Sequence, residues 1–314
     1  MRLNQWEKRR SDQRVCRNAD EVELRAVKSG SATVEFGIFD DQIADSLDDY
    51  ETNESNPMNS WAENDLTLES AVSDIASEIL RRKSILGDAY PFLIDKNTIR
   101  YTESEQLVYE FCLAVSVSPS LSEAPYNELP EAFERLVSDI VISWSGPGSD
   151  GVRTGWPRRG SSGERASFRE TFEVIGRATS ECIWRPNHSL PDNPDPVNVK
   201  DEGVDVVVWK RLGDKRIGSL FMIGQCACGN DFDTKYADCS VERLSKWFHP
   251  FSYAKVVRFF ATPRHIGNDT LLMEMCGQAG ITFDRARLTT LGRLSDRMIP
   301  HRETLRRLID LLLV

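Results

Sequence analysis

Two dense apolar runs in the second half of the chain, separated by a polar turn, predict a β-hairpin. The runs are Val204–Leu212 (VDVVVWKRL) and Leu220–Ala227 (LFMIGQCA), and the turn GDKRIGS joins them. β-Branched and aromatic residues favour strands, whereas glycine, aspartate and serine favour turns. A third run, Lys255–Ala261 (KVVRFFA), has the apolar density of a buried central strand. The pattern therefore predicts the core of a sheet between residues 204 and 261.

Apolar residues at spacings of three and four predict helices on both sides of these strands. The helical segments are expected at residues 130–144, 165–179, 241–248 and 271–279, with a short strand at 281–284 and further helices to the end. A glycine-rich, basic loop separates the first two helices. Helices that alternate with strands in this order indicate an α/β fold, with a mixed sheet flanked by helices.

The first part of the chain predicts a smaller, mainly helical unit. Its expected elements are a hairpin over Val22–Phe39 that turns at Lys28–Ser31, a helix from Leu66, strands at 90–94 and 98–101, and a helix at 105–117. Residues 40–63 are acidic and poor in core-forming positions, which is typical of a linker. We therefore divide the chain into an accessory or partner-binding region, 1–124, and a second domain, 125–314.

Composition and charge narrow the class of protein. The chain is 40 % hydrophobic and 28 % charged, which is typical of a globular protein. No apolar run reaches the roughly 18–20 residues that a membrane span needs. The first residues lack the apolar stretch of a secretory signal. We expect a cytoplasmic protein with no membrane partner.

The net charge is −11 over residues 1–125 and +1 over the remainder. The second domain can therefore present a basic face to a nucleic acid.

Seven cysteines form an odd and scattered set, so we interpret them as reduced thiols. Cys226 and Cys228 make a CxC pair, and Cys239 and His249 lie downstream. A zinc or thiol site built on these residues is one alternative, and buried small apolar side chains are the other.

Three short motifs stand in order along the second domain. They are FERLV with Glu134 on a predicted helix, GVDVVVW with Asp205 at a strand start, and IGQCA with Gln225 on the next strand. This order resembles the Mrr-type branch of the PD-(D/E)XK, restriction-endonuclease-like nucleases, over about residues 131–260. The resemblance implies that Glu134 is the helix acid, Asp205 the central metal-binding aspartate and Gln225 the residue at the second acidic position.

The resemblance implies a Mg²⁺ or Mn²⁺ cofactor, held by Asp205 and Gln225. A divalent cation polarises a phosphodiester and lowers the pKa of a water, and Mg²⁺ prefers hard oxygen ligands. An aspartate at the start of an apolar strand must be solvated, paired or bound to metal. The alternatives for Asp205 are exposure to water or a pair with Arg211. The chain departs from the family pattern at Ala227, where a catalytic lysine belongs. Lys235 is the candidate replacement, and an ordinary surface lysine is its alternative.

Basic residues in two places suit a DNA partner. Arg153, Arg158 and Arg159 surround Trp156 in the glycine-rich loop, and Arg287 and Arg293 begin an arginine-rich C-terminal run. Arginines contact phosphates, and an aromatic ring stacks on bases. A solvated loop is the alternative for the first group, and the second requires an exposed, unpaired basic face.

The resemblance thus implies a divalent-metal-dependent DNA endonuclease of a bacterial restriction or anti-phage defence system, with a protein partner subunit. A second prediction is a catalytically inactive nuclease-fold subunit that binds DNA or scaffolds a defence complex. Ala227 favours this second prediction.

Overall fold

The computed structural model describes residues 2–34, 57–155, 157–158, 166–190, 202–236 and 238–313. The helices are α1 (Arg2–Ser29), α2 (Pro57–Leu86), α3 (Val108–Val117), α4 (Leu129–Trp144), α5 (Phe168–Thr179), α6 (Phe232–Lys235), α7 (Val241–Leu244), α8 (Asp269–Ala279), α9 (Arg285–Arg293) and α10 (Arg302–Leu313). The strands are β1 (Ser31–Thr33), β2 (Phe92–Asp95), β3 (Thr98–Tyr101), β4 (Ser149–Arg153), β5 (Val206–Lys210), β6 (Leu220–Cys226), β7 (Val257–Ala261) and β8 (Ile281–Phe283).

A five-stranded mixed sheet in the order β4-β5-β6-β7-β8 organises the second half of the chain. The β4–β5 and β5–β6 pairs are antiparallel, and the β6–β7 and β7–β8 pairs are parallel. The predicted hairpin is therefore confirmed, with Val206 opposite Gly224, and the run KVVRFFA lies parallel to its second strand. The mixed α/β fold with flanking helices is also confirmed at this level.

Alternating residues of the sheet face two apolar cores. Val206, Val208 and Met222 pack with α3, α4, α9 and α10 on one face. Val207 and Phe221 point to the other face, where they meet Phe168 of α5 and Leu244 of α7. Each such buried side chain contributes roughly 1.5–3 kcal/mol relative to exposure. The helices thus cover both faces, as the uninterrupted apolar runs require.

A glycine in the middle of β6 permits a close contact between neighbouring strands. A Cβ at Gly224 would lie 2.0 Å from the Phe259 ring of β7, and the Phe259 side chain fills the space above this glycine. Any larger residue at position 224 would displace Phe259 from the core. The glycine therefore places the end of β6, which carries Gln225, close against β7.

The N-terminal part differs from the predicted hairpin over Val22–Phe39. Helix α1 runs to Ser29, because Ala19, Val22 and Ala26 recur at helical spacing and are fully buried. The short strand β1 follows, and it pairs with β3 in a three-stranded sheet of order β1-β3-β2. Residues 35–39 of the predicted hairpin lie outside the described residues. Residues 40–56 of the predicted linker lie outside the described residues, and residues 57–63 form the start of α2.

Two further local predictions are wrong. The helix expected at 241–248 is the single turn α7, which ends at Leu244. The glycine-rich loop expected after α4 contains a strand, β4, which pairs with β5 along its whole length. The segment SDGVR contains glycine and aspartate, which have low strand propensity, so its sequence does not show a strand pattern. Pairing with the apolar strand β5 overrides this low propensity. None of the described helices is long and apolar enough to span a membrane.

A buried network of ion pairs joins α1 and α2 to the C-terminal α9. Asp20 accepts two hydrogen bonds from Arg285, at 2.7 and 2.8 Å, and one from Arg82 at 2.7 Å. Glu23 accepts from Arg82 at 2.8 Å and from the Tyr109 hydroxyl at 2.7 Å. Both arginine side chains are inaccessible to solvent. Burial alone raises the pKa of Asp20, but Arg285 and Arg82 outweigh it and lower that pKa. The carboxylate therefore stays ionised.

The Arg285→Met variant tests this network, because it leaves Asp20 buried with one of its three hydrogen bonds, the one from Arg82. Removing one partner of a buried ion pair costs about 3–5 kcal/mol. We expect urea unfolding to show a loss of that size, whereas Arg293→Met, an exposed arginine on the same helix, should change stability by less than about 0.5 kcal/mol. Equal stability of the two variants would show that the network does not hold the halves together.

Candidate functional site

Asp205 lies immediately before β5, where the ladder with β6 shifts register. Its N–H donates to the Gly224 carbonyl at 2.9 Å, although Gly224 is the register partner of Val206. The shift leaves the Cys226 N–H without a strand carbonyl, and the Asp205 Oδ2 accepts it at 2.7 Å. Asp205 is 9 % exposed. Irregularities of this kind often re-aim a side chain at the end of a strand.

Neither alternative for Asp205 fits this position. Arg211 follows the opposite end of β5, six residue steps along an extended strand, or roughly 20 Å at 3.3 Å per residue. The carboxylate is also largely withdrawn from solvent. Its contact with Cys226 shows instead that Asp205 has a structural role as an acceptor for the sheet.

Gln225 lies on β6 beside Asp205 and carries an unsatisfied oxygen. The Oε1 atom is buried and has no hydrogen-bond partner among the described residues. A buried amide oxygen without a donor costs about 1–3 kcal/mol. A cation or an ordered water would remove that cost. The structure therefore places the two residues predicted as metal ligands on neighbouring strands, Asp205 just before β5 and Gln225 on β6.

Glu134 of α4 is engaged by Arg153 of β4. Its Oε2 accepts from the Arg153 Nη1 at 2.8 Å, and Glu131 lies 3.3 Å from the same guanidinium. Arg153 also donates to the Gly155 carbonyl at 2.7 Å. The Arg153 side chain is 10 % exposed, and it ties α4 to the chain that follows β4. This arginine, predicted as a DNA contact, is directed at protein groups.

The chain approaches Glu134 closely at Gly155. A Cβ at this position would lie 2.3 Å from the Glu134 Oε2 and 2.7 Å from its Cδ. Only glycine fits without moving the carboxylate. Sequence reasoning missed this contact, although the GVRTG segment places a glycine two residues after the arginine that pairs with Glu134.

The two thiols of the CxC pair lie beside both carboxylates. Burial, with the negative charges of Asp205 and Glu134, raises the pKa of both Cys226 and Cys228 well above the usual 9.0. Both thiols are therefore protonated at neutral pH, and a thiolate is the form that binds zinc. No group of three or more His, Cys, Asp or Glu within the described ranges is arranged to hold a metal. Cys228 lies in the apolar core and Cys226 packs against it, as the alternative of buried small apolar side chains expects.

Ala227, which stands at the family's lysine position, and Lys235, its candidate replacement, lie in different environments. Ala227 is 4 % exposed and packs in an apolar cluster with Phe232 and Phe260. Lys235, at the end of α6, is 44 % exposed, and its Nζ lies 2.8 Å from the Asp231 Oδ2. The lysine is thus a surface residue with a neighbouring counter-ion.

The remaining predicted DNA contacts are divided between the core and the surface. Arg158 is 1 % exposed and lies over the Phe168 ring. Arg159 lies outside the described residues, as does Trp156. Arg287 is exposed, with its Nη1 donating to the Thr282 carbonyl at 2.6 Å. Arg293 is exposed as well.

The C-terminal arginine run is mostly neutralised by carboxylates of the preceding part of the chain. Arg302 and Arg306 pair with Glu103, Arg307 pairs with Glu128, and Arg297 and His301 pair with Asp139. The unpaired basic face that the sequence analysis required is therefore reduced to its first residues. A paired arginine has little electrostatic advantage for a phosphate.

Comparisons with protein-family models, with curated proteins and with solved structures return no match for this chain. The function is therefore argued from the site alone.

Alanine substitutions at two glycines test the close approach at Gly155, because we expect them to change the stability of the protein in opposite directions. Gly155→Ala must displace Glu134 or the backbone, and overpacking of this kind costs about 1–3 kcal/mol. Gly277→Ala, in the interior of α8 with nothing within 4 Å of the new Cβ, should instead stabilise by about 0.4–1 kcal/mol. Thermal or urea unfolding of both variants measures the difference. A stabilised Gly155→Ala variant would contradict the described contact with Glu134.

Burial of the CxC pair predicts slow thiol chemistry. At pH 8 iodoacetamide should leave Cys226 and Cys228 unmodified in the folded protein, because the thiolate is the reactive form and the raised pKa suppresses it. Peptide mass spectrometry locates the labelled cysteines, and the protein unfolded in urea is the control in which all should react. Rapid labelling of Cys226 or Cys228 in the folded protein would contradict the predicted pKa shift.

Proposed function

We propose that this protein is a divalent-metal-dependent DNA endonuclease that acts in a bacterial restriction or anti-phage defence system. The observation that carries the proposal is the placement of Asp205 beside Gln225, whose buried Oε1 has no donor among the described residues. The adjacent antiparallel strands, with the third strand parallel to the second, are the arrangement that the nuclease resemblance implies. A cytoplasmic location and a protein partner subunit belong to the same proposal.

The oxygen atoms of the site fit a hard cation. Mg²⁺ and Mn²⁺ prefer carboxylate and carbonyl oxygens, and Mg²⁺ keeps several waters. Asp205 and Gln225 would hold it, with the phosphate and waters completing the shell. When bound, the cation supplies charge to polarise the phosphodiester and to lower the pKa of a water. Two protein ligands are few, so we expect weak binding that the nucleic acid strengthens.

The chain's own groups then have distinct tasks. The Cys226 N–H fixes the Asp205 carboxylate in one orientation, and a fixed ligand needs no reorganisation. Lys235 is proposed to act on the negative charge that develops on the phosphate. It must first leave Asp231, and an exposed pair of this kind contributes only about 0–1 kcal/mol. Arg287 and Arg293 are exposed and are proposed to contact the DNA backbone.

A second candidate function is a catalytically inactive nuclease-fold subunit that binds DNA or scaffolds a defence complex. One pair of observations favours it. A buried alanine, Ala227, stands where the family has its lysine, and Arg153 already supplies a positive charge to Glu134. In this candidate the sheet and its helices persist as a binding platform without hydrolysis.

Asp205→Asn tests the endonuclease proposal more cleanly than an alanine substitution. Asparagine retains an oxygen for the Cys226 N–H, whereas alanine would leave this donor unsatisfied and disturb the sheet. We expect plasmid cleavage in Mg²⁺ or Mn²⁺ to fall by about 100-fold or more, because the ligand charge is lost. The matched control is Asp214→Asn, an exposed aspartate in the turn of the same hairpin, which should retain full activity.

Two outcomes separate the candidates. Cleavage by Asp205→Asn at the wild-type rate would reject this site. If the wild type binds duplex DNA but cleaves it with neither metal, with a partner subunit supplied where one is known, the inactive candidate replaces the endonuclease. Lys235→Ala adds a third measurement, in which a slower rate at unchanged metal affinity is expected.

A further inference from the structure

A polar pocket lies where α1 crosses the segments that follow β6 and β7. It is partly open to solvent. Helix α1 contributes Cys16 and Arg17 to one wall. Because β6 and β7 are parallel, the chain leaves both strands at the same edge of the sheet and supplies Asn230 and Arg264 to the opposite wall.

Arg264 stands in this pocket without a carboxylate partner among the described residues. Its guanidinium donates only to neutral oxygens, at 3.3 Å to the Gly229 carbonyl, 3.2 Å to the Ser116 carbonyl and 2.5 Å to the Asn230 Oδ1. Burial lowers the pKa of Arg264. The negative charge of Asp20 raises that pKa, and the positive charges of Arg285 and Arg17 lower it. Such a guanidinium is an unusual feature, because the arginines of the neighbouring network all pair with carboxylates.

Further donors face the same space. Arg17 is exposed and forms no ion pair with any residue that the structure describes. The Asn230 Oδ1 accepts from Arg264, so its NH₂ group remains available. The acidic residues of the wall are already engaged, since Asp20 accepts from two arginines and Asp12 accepts from Asn268. Two arginines and two aspartates thus line the pocket, and the donors of Arg17, Arg264 and Asn230 have no carboxylate partner among the described residues.

The other part of the wall is apolar. Phe232, Ile266 and Leu271 line the pocket and belong to one buried cluster. The Arg264 guanidinium lies 5.8 Å from the centre of the Phe232 ring. A ligand that fits both parts has a compact anionic group and an apolar or aromatic body.

We propose that this pocket binds a small phosphate monoester, such as a mononucleotide. The phosphate oxygens accept charge-assisted hydrogen bonds from Arg17 and Arg264 and a further hydrogen bond from the Asn230 amide. The phosphate thereby supplies a negative charge to pair with Arg264. The organic part packs against Phe232. Residues 229–232 connect the end of β6, which carries Gln225, to α6, which carries Lys235. Binding therefore orders the segment between the two, whether or not the chain cleaves DNA.

Calorimetric titration of the full chain in phosphate-free buffer tests the proposal, with inorganic phosphate and adenosine monophosphate as separate probes. We expect saturable binding of both, with the monoester at least as tight. Arg17→Ala should weaken the monoester by about tenfold or more, which is the size of a lost charge-assisted hydrogen bond. Arg14→Ala, another exposed arginine of α1 outside the pocket lining, is the matched control and should bind like the wild type.

Arg264→Gln should also weaken binding, but it removes donors to Ser116 and Gly229, so its melting temperature must be measured alongside. The Arg17→Ala and Arg14→Ala pair decides the matter even if Arg264→Gln does not fold. Absence of saturable monoester binding in the wild type would overturn the proposal. Equal affinities of the Arg17→Ala and Arg14→Ala variants would overturn it too, as would binding of phosphate with none of the monoester.

Discussion

The buried contact between Asp20 and Arg285 is the constraint on which the arrangement of this protein depends. It joins the first long helix to the helix that follows the last strand, 265 residues apart in sequence. Moving such charges out of water costs several kcal/mol per ion, and only complete pairing offsets that cost. Arg82, Glu23 and the surrounding hydroxyls complete it here. The N-terminal helices are thereby fixed in one position against the second half of the chain.

That position has consequences for both candidate sites. Because α1 is held against the segment after β7, a pocket lined by Arg17 and Arg264 forms between them. The same segment packs near the end of β6, where Gln225 and Asp205 lie. The Asp205 carboxylate accepts a hydrogen bond from the Cys226 N–H of the sheet, and it is also the proposed metal ligand. The hydrogen bond from Cys226 sets the orientation of the carboxylate. A structural role and a ligand role are compatible here, and the isosteric asparagine variant separates them.

The sequence predicted the central sheet well because its strands are dense apolar runs with one turn between them. The hairpin, the third strand and the helix carrying Glu134 were all predicted from the pattern and density of their apolar residues. The strand β4 was not, because its SDGVR sequence has no strand pattern and acquires its conformation from β5. The N-terminal hairpin was wrong because α1 carries charged residues between Ala19, Val22 and Ala26, which resembles alternation over a short window. For the site, the placement of Asp205 and Gln225 on neighbouring strands could be predicted from the hairpin. The Glu134–Arg153 pair and the close approach of Gly155 to Glu134 could not be predicted, because they depend on how α4 packs against β4.

The central claim is that Asp205 and Gln225 form a site for one divalent cation, and a Mn²⁺ titration followed by electron paramagnetic resonance tests it without reference to cleavage. The spectrum of free Mn²⁺ diminishes as the ion binds. The account predicts one bound ion per wild-type chain in the presence of duplex DNA, a loss of that ion in Asp205→Asn, and its retention in Asp214→Asn. Identical titrations for the two variants would contradict the site.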